Sequence, residues 1–152
     1  MQIAIALGCA RALLVLIAFP ASALESSYKA TSASSADAAW AKVGDFCGVA
    51  NYCPELKCEL SADGKTRMLT TARGVSINQL ESRDDTARTY SYTMISGPLP
   101  VANYHSTISV VPAGAGSVIV WSGKYDAKGV SDVAAKALID GIYKACVDNL
   151  AK

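Results

Sequence analysis

Residues 131–150 of this 152-residue chain read SDVAAKALIDGIYKACVDNL. Apolar side chains recur there at intervals of three and four, which is the period of one face of a helix. Ser131 precedes the pattern as a candidate N-cap, and Asp132 supplies an acidic side chain in the first turn. The pattern predicts a helix over residues 132–150, about 28 Å long at about 1.5 Å per residue. Its main apolar row is Ala134, Leu138, Ile142, Cys146 and Leu150, with a neighbouring row of Ala135, Ile139 and Tyr143.

Upstream of this helix, turn signals such as Asp63-Gly64 and the GPLP run at 97–100 divide the chain into short stretches. The stretches are rich in Thr, Val, Ile and Tyr and alternate loosely, as half-buried strands do. An antiparallel sheet with one dry face needs a cover, and the 132–150 helix is the one long enough. The sequence therefore predicts a single α+β domain. The predicted strands are 26–32, 55–60, 65–71, 75–81, 86–96, 101–111 and 117–125, with a helix over 34–43 and a short helical turn over 45–52.

The first residues resemble a targeting segment. Between Ile3 and Phe19 the only charged residue is Arg11, and Pro20 and the small residues at 21–23 follow. An apolar run that ends in an A-x-A site is typical of a secretory signal peptide, so we expect cleavage after Ala23 and a mature domain over 24–152. The alternative is an uncleaved membrane anchor, but the run is shorter than a full bilayer span. The protein is therefore expected to be periplasmic or secreted, with no stable membrane insertion after cleavage.

Composition and charge exclude two classes of protein. The chain has 14 basic and 13 acidic residues, and 51% of its residues are hydrophobic. Cleavage would remove Arg11 and no acid, so the mature chain would have no net charge. A nucleic-acid-binding protein needs a basic face, and a disordered chain needs high net charge with few apolar residues. Neither description fits.

Four cysteines remain after the predicted cleavage: Cys47, Cys53, Cys58 and Cys146. An even number of cysteines in an exported chain favours disulfides, and four thiols allow three connectivities. The alternative is a structural zinc site, which normally needs two close pairs of ligands. Here five, four and eighty-seven residues separate successive cysteines, so no metal site is predicted.

The sequence does not predict a motif for catalysis or cofactor binding. His105 is the only histidine, and on the 101–111 strand it alternates with Tyr104 and Ser106, so it is expected to face solvent. Asp84-Asp85 lies in a predicted turn, where adjacent acids are usually solvated. The segment at 64–66 is not a phosphate-binding loop, and the glycines at 114–116 join two strands instead of opening a helix. No cofactor is therefore predicted.

Several motifs together resemble a known family. They are AWAKVGDF at 39–46, RTYSY at 88–92, GPLPVANY at 97–104, VWS at 120–122 and GIY at 141–143. This set, in this order, is similar to the exported bacterial branch of the polyketide cyclase/dehydrase-like group. That group belongs to the START-like, helix-grip superfamily, which also holds ligand carriers of the birch-pollen-allergen type. The resemblance covers about residues 26–150.

The resemblance implies a helix-grip fold: a bent antiparallel sheet wrapped around the last helix, with two short helices after the first strand. It also implies a cavity for lipids, isoprenoids or polyketide-like compounds, and the disulfide pairs Cys47–Cys58 and Cys53–Cys146. One exported relative is associated with methanol oxidation as an accessory of a periplasmic dehydrogenase, which makes a redox-enzyme partner conceivable. Tyr52-Cys53 and Gln79 replace residues that are often Trp, His and Glu in the branch, so any chemistry that depends on those groups is lost here.

The aromatic residues supply the candidate ligand site. From the residues alone a solid core is the favoured interpretation, whereas the resemblance favours a cavity. The resemblance then implies a periplasmic or secreted binding protein for a hydrophobic small molecule. The alternatives are a cyclase or dehydratase that uses tyrosine hydroxyls, for which the sequence offers no usual base, and the accessory protein described above. The predicted ligand-binding residues are Tyr52, Tyr90, Tyr92, Met94, Tyr104, Trp121, Tyr125, Leu138 and Ile142.

Overall fold

The computed structural model describes residues 23–151, so the predicted signal peptide lies outside the described residues apart from Ala23. Seven strands, two α-helices and one 3₁₀ turn at Gly48–Asn51 make up the fold. The predicted α+β architecture, with two short helical segments after the first strand, is confirmed. The elements are β1 (Leu24–Ser32), α1 (Ala36–Val43), β2 (Lys57–Leu60), β3 (Thr66–Thr71), β4 (Gly74–Asp84), β5 (Thr89–Ser96), β6 (Val101–Ala113), β7 (Gly116–Ala127) and α2 (Asp132–Leu150).

All seven strands form one antiparallel sheet in the order β1-β7-β6-β5-β4-β3-β2. Strands β2 to β7 follow one another as hairpins, and β1 closes the far edge by pairing Tyr28 with Trp121. The register shifts between Ala102 and His105 on β6, and twice along β4. Irregularities of this kind bend a strand and increase its twist, which fits a sheet that curves around a helix.

Two strands begin two or three residues later than the sequence predicts, and β3 begins one residue later, at Thr66. β2 begins at Lys57 and not at residue 55, because Glu55 has a positive φ of 58°, which a strand does not adopt. β5 begins at Thr89 and not at residue 86, because the preceding residues form a turn in which the Ala87 amide donates to Asp84 Oδ1 (2.9 Å). The turn before β2 contains Pro54, whereas the turn before β5 contains neither Gly nor Pro.

The helix α2 runs along the sheet and packs closely against β1 and β7. Its deeply buried residues are Ala135, Ile139, Tyr143 and Val147, whereas Ala134 is exposed. The neighbouring row of the sequence pattern is therefore the one that faces the packed part of the sheet. Two adjacent apolar rows, each repeating every four residues, identify the apolar side of a helix. They do not show which of the two rows packs against the strands.

Two disulfides connect the segment after α1 to the rest of the fold. Cys47 pairs with Cys58 of β2, and Cys53 pairs with Cys146 of α2, with Cα atoms 5.6 and 4.4 Å apart. Both implied pairs are confirmed. Among residues 23–151 no helix combines the length and the apolar composition that a membrane crossing requires.

Candidate functional site

A cavity of about 520 Å³ lies between α2 and strands β3, β4 and β5. It exists because α2 leans towards β1 and β7 and leaves the inner face of these three strands uncovered. The volume falls within the range of about 300–1,000 Å³ that is usual for small-molecule sites. The helix contributes Ala137, Leu138, Gly141, Ile142, Ala145 and Cys146 to its wall.

The side of α2 that borders the cavity carries a row of small side chains. Ala137, Gly141 and Ala145 recur every four residues and therefore share one face of α2. A Cβ placed on Gly141 would meet no atom within 4 Å. Space is therefore available beside the middle of the helix, where an ordinary side chain would otherwise project.

The wall formed by the sheet is mainly apolar, with a few polar groups. Tyr104 and Trp121 line the cavity from β6 and β7, and Pro98 and Leu99 line it from the β5–β6 turn. The rim is completed by residues 54–56 and by residues 72–73. Strands β3, β4 and β5 contribute Arg67, Leu69, Thr71, Ser76, Asn78, Tyr92 and Met94.

Tyr104 and Trp121 are held by a hydrogen-bond chain that runs behind the cavity. The hydroxyls of Tyr104 and Tyr143 lie 2.7 Å apart, and that of Tyr143 lies 3.0 Å from Ser106 Oγ. Trp121 Nε1 donates to Ser106 Oγ (2.7 Å), and Ser106 Oγ donates to the Ser122 carbonyl (2.7 Å). Burial raises the pKa of Tyr104 and of Tyr143 well above the ordinary value, so both phenols are neutral near pH 7. This part of the wall is hydrogen-bonded and uncharged.

Arg67 is the buried charged residue of the cavity wall, with only 1% of its surface exposed. Its guanidinium carbon lies 4.2 Å from the ring centre of Phe46 and 4.4 Å from that of Tyr92. Nε donates to Asn78 Oδ1 (3.2 Å) and Nη1 donates to the Phe46 carbonyl (2.6 Å). Among residues 23–151 no carboxylate forms an ion pair with it. Cation–π contacts and neutral acceptors therefore hold this positive charge.

The structure brings together six of the nine predicted ligand-binding residues at the cavity wall: Tyr92, Met94, Tyr104, Trp121, Leu138 and Ile142. The other three lie in the packed core. Tyr125 is hydrogen-bonded to Ser26, Tyr90 packs between Trp40 and Phe46, and Tyr52 is buried at the end of the 3₁₀ turn. Contact of any of the nine with a ligand stays a prediction.

Sequence reasoning missed much of the wall, and two of the missed parts matter most for its chemistry and shape. One is Arg67, which shares its face of β3 with the apolar Leu69, an alternation that could have indicated an inward position. The other is the small-residue row of α2. His105 lies on the outer face, as predicted, with Nδ1 3.0 Å from a Glu81 carboxylate oxygen. Among the described residues no cluster of three or more His, Cys, Asp or Glu side chains is arranged to hold a metal ion.

A curved antiparallel sheet that grips one long helix and leaves a cavity beside it defines the helix-grip, START-like class of proteins. Residues 23–152 match the family described as "Polyketide cyclase / dehydrase and lipid transport". The chain belongs to this family.

Solved structures agree with that assignment. An uncharacterised protein from Bacillus thuringiensis is 30% identical with a TM-score of 0.80, over 84% of this chain and 96% of the other. The protein XoxI from Bacillus cereus is also 30% identical with a TM-score of 0.80, over 84% and 92% of the two chains. A START superfamily protein from Mycobacterium smegmatis is 19% identical with a TM-score of 0.70, over 84% and 94%, and shares the fold. A comparison with curated proteins finds no match.

Proposed function

We propose that this protein is an exported binding protein that holds one hydrophobic small molecule in the cavity between α2 and strands β3–β5. The observation that carries the proposal is the cavity itself, at about 520 Å³ and with a mainly apolar wall. Apolar area removed from water supplies about 25 cal/mol per Å², so a ligand of drug size gains its affinity from burial, and a few polar groups set its orientation.

The large apolar side chains at the cavity wall support a binding role. Leu138 and Ile142 from the helix and Leu69 and Met94 from the sheet are half-buried at its wall. They are the large apolar side chains that a guest would cover. The membership of the chain in a family that includes lipid transport is consistent with such a guest.

Two buried tyrosines, Tyr104 at the cavity wall and Tyr143 behind it, fit binding better than catalysis. Tyr104 and Tyr143 use their hydroxyls on each other and on Ser106, and burial raises the pKa of both. A phenol with a raised pKa stays protonated near neutral pH and is therefore a poor general base. These residues therefore fit a neutral wall of a binding cavity.

Export is supported by the two disulfides. Cys47–Cys58 and Cys53–Cys146 use every cysteine that lies beyond the predicted cleavage site. Structural disulfides form and persist in oxidising compartments such as the periplasm or the extracellular space.

The proposal is tested by filling the cavity from Gly141. In Gly141→Phe a ring projects into the space beside the helix, whereas Gly141→Ala adds one methyl group where no atom lies within 4 Å. A neutral phenylnaphthylamine dye, which fluoresces in apolar surroundings, is titrated into the wild type and both variants. We expect saturable binding by the wild type and by Gly141→Ala, and at least about tenfold weaker binding by Gly141→Phe, with unchanged circular dichroism.

Equal binding by all three proteins, or no saturable binding by the wild type, would overturn the proposal. Native mass spectrometry of the protein purified from its own host adds an independent measurement. A co-purifying lipid or quinone supports carriage of a ligand. A large bound enzyme subunit without a small molecule contradicts that role and favours the accessory protein instead.

A further inference from the structure

The charges at the cavity wall are distributed unequally. Three charged residues line it: Glu55 and Arg73 are exposed at the rim, and Arg67 is buried. Among residues 23–151, Arg67 therefore supplies the only fixed charge in the interior of the wall. Because a guanidinium does not lose its proton at any accessible pH, this charge is permanent.

The groups around Arg67 are neutral. The rings of Phe46 and Tyr92 both contact the guanidinium, and its hydrogen bonds go to an amide and a backbone carbonyl. The phenols of Tyr52 and Tyr90 lie near enough to interact with it electrostatically. Burial raises the pKa of both phenols, so neither carries the negative charge that would balance the guanidinium.

Donors remain available beside this charge. The two hydrogen bonds described above engage two of the five N–H groups of the guanidinium. Asn78 accepts through Oδ1, so its Nδ2 group is a further donor at the cavity wall. The buried hydroxyls of Tyr52 and Tyr90, which lie near the guanidinium, have no hydrogen-bond partner among residues 23–151. A buried cation with neighbouring unused donors is suited to an oxyanion, and the planar guanidinium matches the geometry of a carboxylate.

We propose that the ligand of this cavity is a single-chain apolar carboxylic acid whose carboxylate lies against Arg67 and Asn78. Its hydrocarbon part extends between Leu69 and Met94 of the sheet and Leu138 and Ile142 of α2. This assignment rests on the proposed function, because it names the class of molecule that the same cavity holds. It predicts discrimination by charge: an anionic head group is favoured, an uncharged one is accepted less well, and a cationic one is rejected.

The test uses displacement of the neutral phenylnaphthylamine dye by four probes. Dodecanoic acid, its methyl ester and dodecylamine share one tail and differ in the charge of the head group, and acetate supplies the head group without a tail. We expect the acid to bind at least about tenfold more tightly than the ester and the amine to bind most weakly, with no displacement by acetate. A hydrogen bond to a charged group corresponds to about that ratio of affinities.

Arg67→Met removes the charge, and Lys57→Met removes one from the exposed outer face of the neighbouring strand β2 as a control. We expect the ratio of acid to ester affinity to fall to about one in Arg67→Met and to stay at the wild-type value in Lys57→Met. If Arg67→Met does not fold, the wild-type series decides the matter alone. Equal or better binding of the ester overturns the carboxylate assignment but leaves the cavity proposal intact, whereas no displacement by any long-chain probe overturns both.

Discussion

The two faces of α2 have opposite surroundings. On one face Ile139, Tyr143 and Val147 are fully buried against β1 and β7, and the hydroxyl of Tyr143 is hydrogen-bonded. On the other face the row of Ala137, Gly141 and Ala145, flanked by Leu138 and Ile142, borders the cavity. One helix therefore contributes both to the solid core and to the wall of the site.

The difference between these faces shows how a fold can be stable and hollow at once. Large side chains towards β1 and β7 fix the position of the helix, and small side chains at i, i+4 and i+8 keep the other half of the sheet uncovered. Most of the stabilisation is then expected to come from the packed face. The open face is free to be specialised for a ligand at little cost to the fold.

The largest expected loss of stability comes from breaking the disulfide near the C-terminal end of α2. This bond attaches the helix, and therefore both of its faces, to the segment after α1. Removal of the Cys53–Cys146 bridge by serine substitution of both residues opens a loop with a sequence separation of 93. Loop entropy then predicts a loss of about 4.5 kcal/mol from the free energy of unfolding. Urea denaturation of the double variant measures it.

The matched control for this prediction is removal of the Cys47–Cys58 bridge, which has a sequence separation of only 11. The same relation gives a loss of about 3 kcal/mol. If the short bridge proves the costlier one to remove, Cys53–Cys146 is not the tether that holds α2 in place.

A smaller loss is expected from truncating one large side chain of the packed face. Ile139→Ala deletes a fully buried side chain and should cost about 2–5 kcal/mol. Its sequence neighbour Leu138 is half-buried beside an existing cavity, so Leu138→Ala should cost less than half as much. Thermal and urea denaturation of both variants compare the faces directly, and similar losses would mean that the cavity side is as solidly packed as the other.

Adding one methyl group at two glycines should give effects of opposite sign. A Cβ on Gly123 would overlap the Tyr143 hydroxyl, so Gly123→Ala has to displace the hydrogen-bonded ring. We expect a loss of about 1–3 kcal/mol, because overpacking a filled core forces side chains to move. The near-ultraviolet circular dichroism spectrum, which reports on the aromatic side chains, should change as well. An unaltered spectrum with full stability would contradict the close packing of Gly123 against Tyr143.

The smallest effect is expected at Gly141, on the open face. Gly141→Ala meets no atom within 4 Å and improves helix propensity, so stability should rise by up to about 1 kcal/mol. A chemical denaturation curve resolves a change of this size. A loss of stability would show that the helix is close to another element at this point.

Much of the fold could be predicted because its signals are local. Residues 132–150 combine an N-cap with helical periodicity, and turn residues separate the strands, so α2 and the order of the strands follow from the sequence. The choice between the rows of Leu138 and Ile139 could not be made, because both rows are apolar and only the tertiary position of the sheet distinguishes them.

The site was predicted less completely because two of its features are unusual. Arg67 was not expected inside, since an arginine is rarely buried without a carboxylate, and its contacts with the rings of Phe46 and Tyr92 depend on segments that are distant in the sequence. Conversely, Tyr90 and Tyr125 share inward faces with true lining residues but lie further along their strands, in the filled part of the core. Alternation indicates which face is inward and does not show where along it the packing ends.

The measurement that tests the hollow face most directly is a methyl-resolved NMR titration of the wild-type protein with the neutral phenylnaphthylamine dye. A ligand held between α2 and strands β3–β5 should shift and broaden the methyl signals of Leu69, Leu138 and Ile142, which line the cavity. The methyl signals of Ile139 and Val147, on the packed face, should change little. Shifts confined to the packed face or to the outer surface, or no saturable shift at all, would contradict a binding site between the helix and the sheet.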